Sequence, residues 1–227
     1  MARRGKKYVA VAKKTDKKEY SLEQAIKLAK AASYSKFGGS VELHLAVNLP
    51  KDKDAKSIKG AVSLPHSATK EVKIYVFTTP ENAKLALEAG ADKAGLEELV
   101  KEVQSGKINF DVAIATPDVM AKIAILGKEL GPKGLMPNPK TGTVTTDVAN
   151  TVAEYKKGKM TFKADEKGGI HISVGKMNLE DAQIVENVNV ALTAIEEALG
   201  KQISSIVRGS HLAPTMGKAV KFKIVRE

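Results

Sequence analysis

The sequence contains no cysteine and no tryptophan, and aromatic residues make up only 4% of its 227 residues. The absence of cysteine excludes disulfides and thiolate metal sites, and it is typical of a reducing compartment. So few aromatic rings argue against a stacking platform for single-stranded nucleic acid. No apolar run is long enough to span a membrane, and the N-terminus lacks the apolar core of a signal peptide. We therefore expect a cytoplasmic protein that has no membrane partner.

Positive charge is concentrated toward the two ends of the chain, whose formal net charge is +11. Residues 1–67 have 15 Lys/Arg against 6 Asp/Glu, residues 68–158 have 12 of each, and residues 159–227 have 10 against 8. A basic excess at the ends around a neutral middle indicates two bodies, of which the one built from the ends faces a polyanion.

The two ends have the periodicities of an α+β domain. A lysine-rich arm of about residues 1–20 comes first, and it is either a solvated tail or a tail ordered by phosphates. Ser21 and Gln24 have capping-box spacing at the start of a helix, and alternating residues then predict a strand over 41–47. The remaining predicted elements are a strand at 60–64, the strands KMTFKA and GIHISV, a helix of about 179–199, and the strands SSIVRG and AVKFKIV.

The middle of the chain alternates buried strands with helices, as in a Rossmann-like α/β three-layer domain. The strands are VKIYVF and FDVAIA, and the helices are PENAKLALEA, LEELVKEVQ, PDVMAKIAILGKEL and DVANTVAEYKK. We therefore predict two domains. An α+β domain is built from 1–67 plus 159–227, and an α/β domain is inserted at 68–158.

The strongest enzyme-like feature is the loop GPKGLMPNPKTG at 131–142. A phosphate-binding loop needs backbone N–H groups aimed at the phosphate, and the three prolines of this loop have none to give. We interpret Gly131 as the cap of the preceding helix and the prolines as stiffening an exposed connection. No GxGxxG motif follows either buried strand, so a dinucleotide cofactor has no support.

Other candidate catalytic groups have simpler explanations. Asp111 is typical of a strand edge, and Asp118 of the first turn of a helix. The four histidines lack metal-ligand spacing, and His44 on the polar face of its strand suits a surface or interface role. We expect no catalytic residues, no metal and no cofactor. A nucleotide-dependent enzyme and a basic membrane-binding protein stay as alternatives, and thermal shift with ATP, GTP or NAD tests the first.

Two short segments are candidates for positioning a nucleic acid. Lys36 and Phe37 put a cation beside an apolar ring between the first helix and strand, although Phe37 could equally be a core residue. At Ala213–Gly217, a proline and a glycine break strand pairing, and the Thr215 hydroxyl and Gly217 backbone could reach a ribose or phosphate.

The block IATPDVMAKIAILGKELGPKGLMPNPKTGTVT resembles the signature of the bacterial L-one family, the stalk proteins of the large ribosomal subunit. Phe37 with VEL, GAVSLPH, GADKAG, GIHISVGK and PTMG match further, so the resemblance extends from about Ser21 to Val225. It departs at Lys59, where the family commonly has arginine, and at Pro214, where it commonly has serine or threonine. A lysine lacks the bidentate fork of arginine.

The resemblance implies the split RNA-binding domain and an inserted domain joined by a two-stranded hinge. It also implies binding to a helical junction of large-subunit ribosomal RNA, a mobile stalk that helps deacylated tRNA leave the exit site, and repression of translation by binding the protein's own messenger RNA. The protein is expected to be a monomer when free. The expected RNA-binding residues are Lys36, Phe37, Lys163, Asp165, His171, Thr215, Met216 and Gly217, with Lys133 and Lys140 as a secondary RNA or tRNA contact.

Overall fold

The computed structural model describes residues 5–12, 18–35, 37–48, 58–66, 72–200 and 202–224, with Ser204 described only by its backbone. The chain divides into two compact units, Met1–Ala68 with Thr161–Glu227, and Thr69–Met160. We call them the terminal unit and the central unit. The terminal unit contains antiparallel sheet and the central unit parallel sheet, each with helices. The predicted α+β and α/β fold class is confirmed.

The described elements have the following bounds. The helices are α1 Lys6–Ala12, α2 Leu22–Ala31, α3 Pro80–Glu88, α4 Glu97–Gln104, α5 Met120–Ile123, α6 Gly127–Lys133, α7 Val148–Lys156, α8 Asp181–Leu199 and α9 Ile203–Ile206. The strands are β1 Ser40–Val47, β2 Lys59–Ser63, β3 Ile74–Phe77, β4 Lys93–Gly95, β5 Val112–Ala115, β6 Lys159–Lys163, β7 Gly169–Lys176, β8 Val207–Pro214 and β9 Val220–Phe222. Short 3-10 helices lie at Pro117–Val119, Ala124–Leu126 and Pro139–Thr141.

The main sheet of the terminal unit has the order β7-β1-β8-β9, and every neighbouring pair is antiparallel. Helices α2 and α8 pack against it. Side chains alternate along β1, so Leu43 and Leu45 are buried while Glu42 and His44 are partly exposed on the opposite face. One face of the sheet therefore carries the core, and the opposite face, which we call the open face, carries partly exposed polar side chains.

In the terminal unit, the start of α2 and the end of α8 follow from local sequence signals. Ser21 and Gln24 form the predicted capping box at the start of α2. Helix α8 ends at Gly200, which has a φ of 66°. A glycine takes this left-handed conformation without the steric cost of a Cβ.

The central unit has a parallel sheet in the order β4-β3-β5 with a core on each face. Tyr75 and Phe77 of β3 face one core, with α4 and the helical segment around 117–133. Ile74 and Val76 face the other core, with α3 and α7. Continuous apolar strands covered on both faces make a three-layer domain, as predicted.

The single helix predicted from Pro117 is wrong. The segment winds through two 3-10 turns before α6, and its buried residues are Val119, Ile123, Leu126 and Leu130. Spacings of three and four residues place side chains on one face in either kind of helix, so the apolar pattern does not distinguish them.

Four further features of the structure differ from what the sequence predicted. Helix α6 continues past Gly131 to Lys133, and Gly134, with a φ of 71°, is its cap. The first three residues of the run SSIVRG belong to α9, and β8 begins only at Val207. Ile203 and Ile206 of this helix are both buried, one turn apart. Within the lysine-rich arm, α1 forms a short helix without buried residues. The short strand β4 lies within GADKAG, for which we predicted no strand.

Candidate nucleic-acid interface

The turn Thr215–Gly217, which we call the TMG turn, is tied to the start of β1. The Thr215 backbone N–H donates to Ser40 O at 2.9 Å, and the Thr215 hydroxyl accepts from the Ser40 N–H at 3.0 Å. The hydroxyl proton has two acceptors within reach, Glu42 Oε1 at 3.0 Å and Ser40 O at 3.1 Å. We predicted that this hydroxyl could reach a ribose or phosphate. In the structure it is used to fix the turn and the Glu42 carboxylate.

Gly217 packs against the end of α2 without room for a side chain. It forms an antiparallel bridge with Ser33. A Cβ added to Gly217 would lie 2.4 Å from Pro214 Cγ and 2.6 Å from Ala32 O. Since the second atom belongs to the backbone, the close approach of the two chains requires glycine here.

One large apolar side chain is exposed in the TMG turn, and another is exposed on the segment between α2 and β1. Phe37 is 83% exposed, and Met216 is 50% exposed. Phe37 lies between Ser33 and Ser40, the two residues that contact the turn. The core alternative for Phe37 is therefore wrong, because its ring lies in solvent. Exposed apolar side chains on a fixed backbone are typical of a binding surface.

Asp165 forms a tight turn before β7. Its carboxylate accepts hydrogen bonds from the backbone N–H groups of Lys167 at 2.9 Å and Gly169 at 2.5 Å. The hydrogen bond from Gly169 is the main cause that lowers the pKa of Asp165, with smaller contributions from Lys167 and His171. Asp165 is therefore ionised near neutral pH, and it offers only hydrogen-bond acceptors to a ligand.

Three histidines lie side by side across the open face of the sheet. His44 of β1 is paired in register with His171 of β7 and with His211 of β8. We call these three residues the histidine row. Lys221 of β9 pairs with His211 and extends the row by one strand.

A chain of polar contacts joins the TMG turn to the Asp165 turn through this row. Glu42, which accepts from Thr215, has its other carboxylate oxygen 3.7 Å from His44 Nε2. His44 Nδ1 is 2.8 Å from His171 Nδ1, and His171 Nε2 is 3.8 Å from Asp165 Oδ2. Sequence reasoning predicted Thr215, His171 and Asp165 separately, and the structure brings them together.

Sequence reasoning missed Glu42, His211 and Lys221, and assigned His44 only a general surface role. The sequence pattern that could have identified them is the alternation of a strand, in which polar residues take the outward positions. Each of these four residues is a polar residue at such a position. The strand order that makes them neighbours has no local signal.

The other predicted RNA-binding residues lie elsewhere. Lys36 lies outside the described residues. Lys163 is exposed at the end of β6, in the two-stranded sheet with β2. Lys133 and Lys140 are exposed on the central unit.

The loop 131–142 is held by a compact polar cluster. The Asn138 side chain caps the 3-10 turn by accepting from the Lys140 N–H at 2.9 Å. The buried hydroxyls of Thr141 and Thr143 both reach Asn138 O, and the Tyr155 hydroxyl donates to Thr141 O at 3.0 Å. These hydrogen bonds fix the conformation of the loop.

A cavity of about 900 Å³ lies in the central unit, at the carboxyl ends of the parallel strands. Thr78, Leu96 and Asp118 are among its lining residues, and ligands of open parallel sheets bind at this edge. The loop 131–142, which motivated the enzyme alternative, does not contribute to the described lining. The lining includes Lys93 and Lys122 but no residue of that loop, so the cavity and the loop are separate features.

The described ranges contain no group of three or more histidine or carboxylate side chains arranged to hold a metal ion. Within the same ranges, no helix has the length and apolar character needed to cross a membrane.

The sequence matches the profile of the Ribosomal protein L1p/L10e family over residues 14–218. It is 43% identical to the large ribosomal subunit protein uL1 of Limosilactobacillus reuteri over 211 residues, covering 92% of this chain and 90% of that protein. It is 42% identical to uL1 of Kosmotoga olearia, covering 97% of this chain and 96% of the relative. Identity to uL1 of Thermosipho melanesiensis is 43%, with 97% of each chain covered.

Proposed function

The chain belongs to the ribosomal protein L1p/L10e family, and from this premise we propose that the open face of its terminal unit binds a helical junction of large-subunit ribosomal RNA. Membership makes the protein a structural ribosomal protein that binds ribosomal RNA, not an enzyme. Its place is in the large ribosomal subunit, which is cytoplasmic in bacteria. The finer roles below, and the residues that perform them, are our proposal.

The observation that carries the proposed site is the pair of exposed apolar side chains beside the TMG turn. Phe37 and Met216 are exposed, while the backbone beneath them is fixed by Thr215, Ser40 and the close packing of Gly217. A surface that is ordered before binding loses less entropy when RNA docks. An unstacked base at a junction can stack on the Phe37 ring.

The polar groups of this face suit the features that distinguish an RNA junction. The minor groove of A-form RNA displays 2′-hydroxyls, and its deep major groove is closed to side chains. The ionised Asp165 carboxylate can accept a hydrogen bond from a 2′-hydroxyl or a base amino group. Short side chains and exposed backbone supply specificity in this account. The lysines, among them Lys36 and Lys163, supply attraction to phosphates that weakens with salt.

The finer biological roles are those that the resemblance to the family implies. We propose that it forms the mobile stalk next to the exit site and assists release of deacylated tRNA. Lys133 and Lys140 on the fixed loop of the central unit are the proposed contact with stalk RNA or passing tRNA. We also propose that the terminal unit binds a similar fold in the protein's own messenger RNA and represses its translation.

The Phe37→Ala variant tests the proposed site most simply. Phe37 is exposed, so its removal should leave the free energy of unfolding nearly unchanged. Loss of base stacking, worth about 1–3 kcal/mol, should weaken binding to the ribosomal RNA junction by about tenfold or more. Equilibrium binding to a labelled RNA fragment carrying the junction measures this.

A matched control is Ile125→Ala, which removes another exposed apolar side chain, 69% exposed, from the central unit. We expect its RNA affinity to equal that of the unmodified protein. Equal affinities for Phe37→Ala and the unmodified protein would rule out Phe37 as an RNA contact.

A further inference from the structure

The histidine row is a transverse feature of the open sheet face. His171, His44 and His211 lie on three adjacent strands, and Lys221 on the fourth continues the line. Adjacent strands are about 4.8 Å apart, so four strands span about 14 Å. The row is long enough to face more than one phosphate of an RNA backbone.

The row is short of positive charge in the free protein. His44 Nδ1 and His171 Nδ1 lie 2.8 Å apart, so one ring donates a proton and the other accepts it. Two imidazolium rings cannot both hold protons at that contact, because each would point a positive N–H at the other. The closed contact therefore accommodates one additional proton, on the Nε2 atom of the ring that donates, but not a second one.

The surroundings of His44 and His211 favour the neutral form of both rings. Burial is the main cause that lowers the pKa of His44, followed by the charge of His171, while Glu42 acts in the opposite direction. Burial also lowers the pKa of His211, with Lys221 contributing. The charged and titratable groups facing the row are Glu42, Asp165, Lys221 and Glu19, which pairs with Lys221 at 2.7 Å.

We propose that the histidine row is a phosphate-binding stripe for the RNA backbone and that it takes up a proton when RNA binds. This inference rests on the proposed RNA function of the same face. The proton comes from solvent and converts one imidazole of the His44–His171 pair to imidazolium. His171, whose side chain is 57% exposed, is the ring that offers an N–H to a phosphate oxygen.

The direction of the pH effect follows from linkage. In the free protein the pKa of His44 is lowered, and a bound phosphate raises it, so the complex holds more protons than its separate components. RNA affinity must therefore rise as pH falls through the interval between these two values. A rise of about one unit in the pKa corresponds to about a tenfold gain in affinity.

The experiment measures affinity for the ribosomal RNA junction fragment between about pH 8 and about pH 6, the range in which histidine titrates. The unmodified full-length protein should bind about tenfold more tightly at the lower pH. The double variant His44→Gln with His171→Gln should lose most of this gain. A His44→Lys variant carries a fixed charge, so it should bind well at the higher pH and change less with pH.

The matched control is His66→Gln, because His66 is a histidine of the same unit that pairs with Glu186 Oε2 at 2.6 Å and lies outside the row. It should keep the full pH dependence, and the dependence that remains in the double variant measures titration of the RNA and of other groups. Circular dichroism at both pH values checks that each variant is folded. The fixed-charge variant keeps the test decisive if the double variant unfolds.

The outcomes separate the two proposals. No binding of the junction RNA at any pH contradicts the proposed function. Tight binding that does not change with pH, or an equal pH dependence in the double variant and the unmodified protein, overturns the phosphate-binding stripe and leaves the proposed function standing.

Discussion

Replacing Gly217 with alanine is expected to weaken binding to the ribosomal RNA junction by at least about 100-fold, the largest effect of any single substitution on this surface. The new Cβ would lie 2.4 Å from Pro214 Cγ and 2.6 Å from Ala32 O. A backbone oxygen cannot move aside without shifting the end of α2, so the TMG turn must move. Such a shift displaces Met216 and breaks the hydrogen bonds between Thr215 and Ser40.

Gly131→Ala is the control for this substitution, because a Cβ at that helical glycine would meet nothing within 4 Å. It should leave RNA affinity unchanged and slightly stabilise α6. Stability also distinguishes the two variants, since we expect Gly217→Ala to lower the free energy of unfolding by about 1–3 kcal/mol. Unchanged affinity in Gly217→Ala would mean that the TMG turn is not part of the interface.

Replacing Asn187 with leucine is expected to cause the largest loss of stability, about 3 kcal/mol or more. Asn187 is completely buried in α8, and its amide oxygen accepts from the His66 N–H at 3.1 Å. Its amide nitrogen donates to His66 O at 2.8 Å and to Val174 O at 2.7 Å. A leucine of similar volume leaves all three backbone groups without this partner. Urea unfolding measured by circular dichroism checks the size of the loss.

Asn189→Leu on the same helix is the matched control, because Asn189 is exposed. Its free energy of unfolding should stay within about 0.5 kcal/mol of the unmodified protein. Equal losses in the two variants would show that leucine is simply unfavourable on this helix, and that the Asn187 hydrogen bonds contribute little.

The resemblance to the ribosomal family is confirmed, and so are the elements that have a local cause. The start of α2 follows from the spacing of Ser21 and Gln24, and β1 from the alternation of apolar and polar residues. The buried strands of the central unit follow from continuous apolar runs. Each of these signals lies within a few residues, where sequence and conformation are directly related.

The assembly of the site depended on information that is not local. His44 lies between His171 and His211 only because β1 lies between β7 and β8, a strand order set by the packing of the whole unit. The same limit applied to Thr215. We expected its hydroxyl to face the ligand. In the structure the hydroxyl contacts Glu42, which lies 173 positions away in the sequence.

The loop 131–142 shows a different limit. Gly131 suited a helix cap by composition, but α6 continues to Lys133 and the left-handed backbone of Gly134 marks its end. The prolines were expected to stiffen an exposed connection, but Pro132 lies inside α6 and Pro137 is buried. The threonine hydroxyls around Asn138 and the distant Tyr155 hydroxyl complete its support. The segment that most clearly identifies the family is therefore built as a rigid structural element of the central unit.

The central claim is that fixed short groups around the TMG turn provide the specific affinity for RNA, while lysines provide an attraction that depends on salt. Measuring the affinity of Thr215→Val for the ribosomal RNA junction over a range of salt concentrations tests it most directly. Valine keeps the size of threonine but removes the hydroxyl that contacts Ser40 and Glu42. We predict an affinity about tenfold lower or more at every salt concentration, with an unchanged salt dependence. Lys163→Ala should instead reduce the steepness of the salt dependence. Affinities of Thr215→Val that coincide with those of the unmodified protein at all salt concentrations would contradict the account.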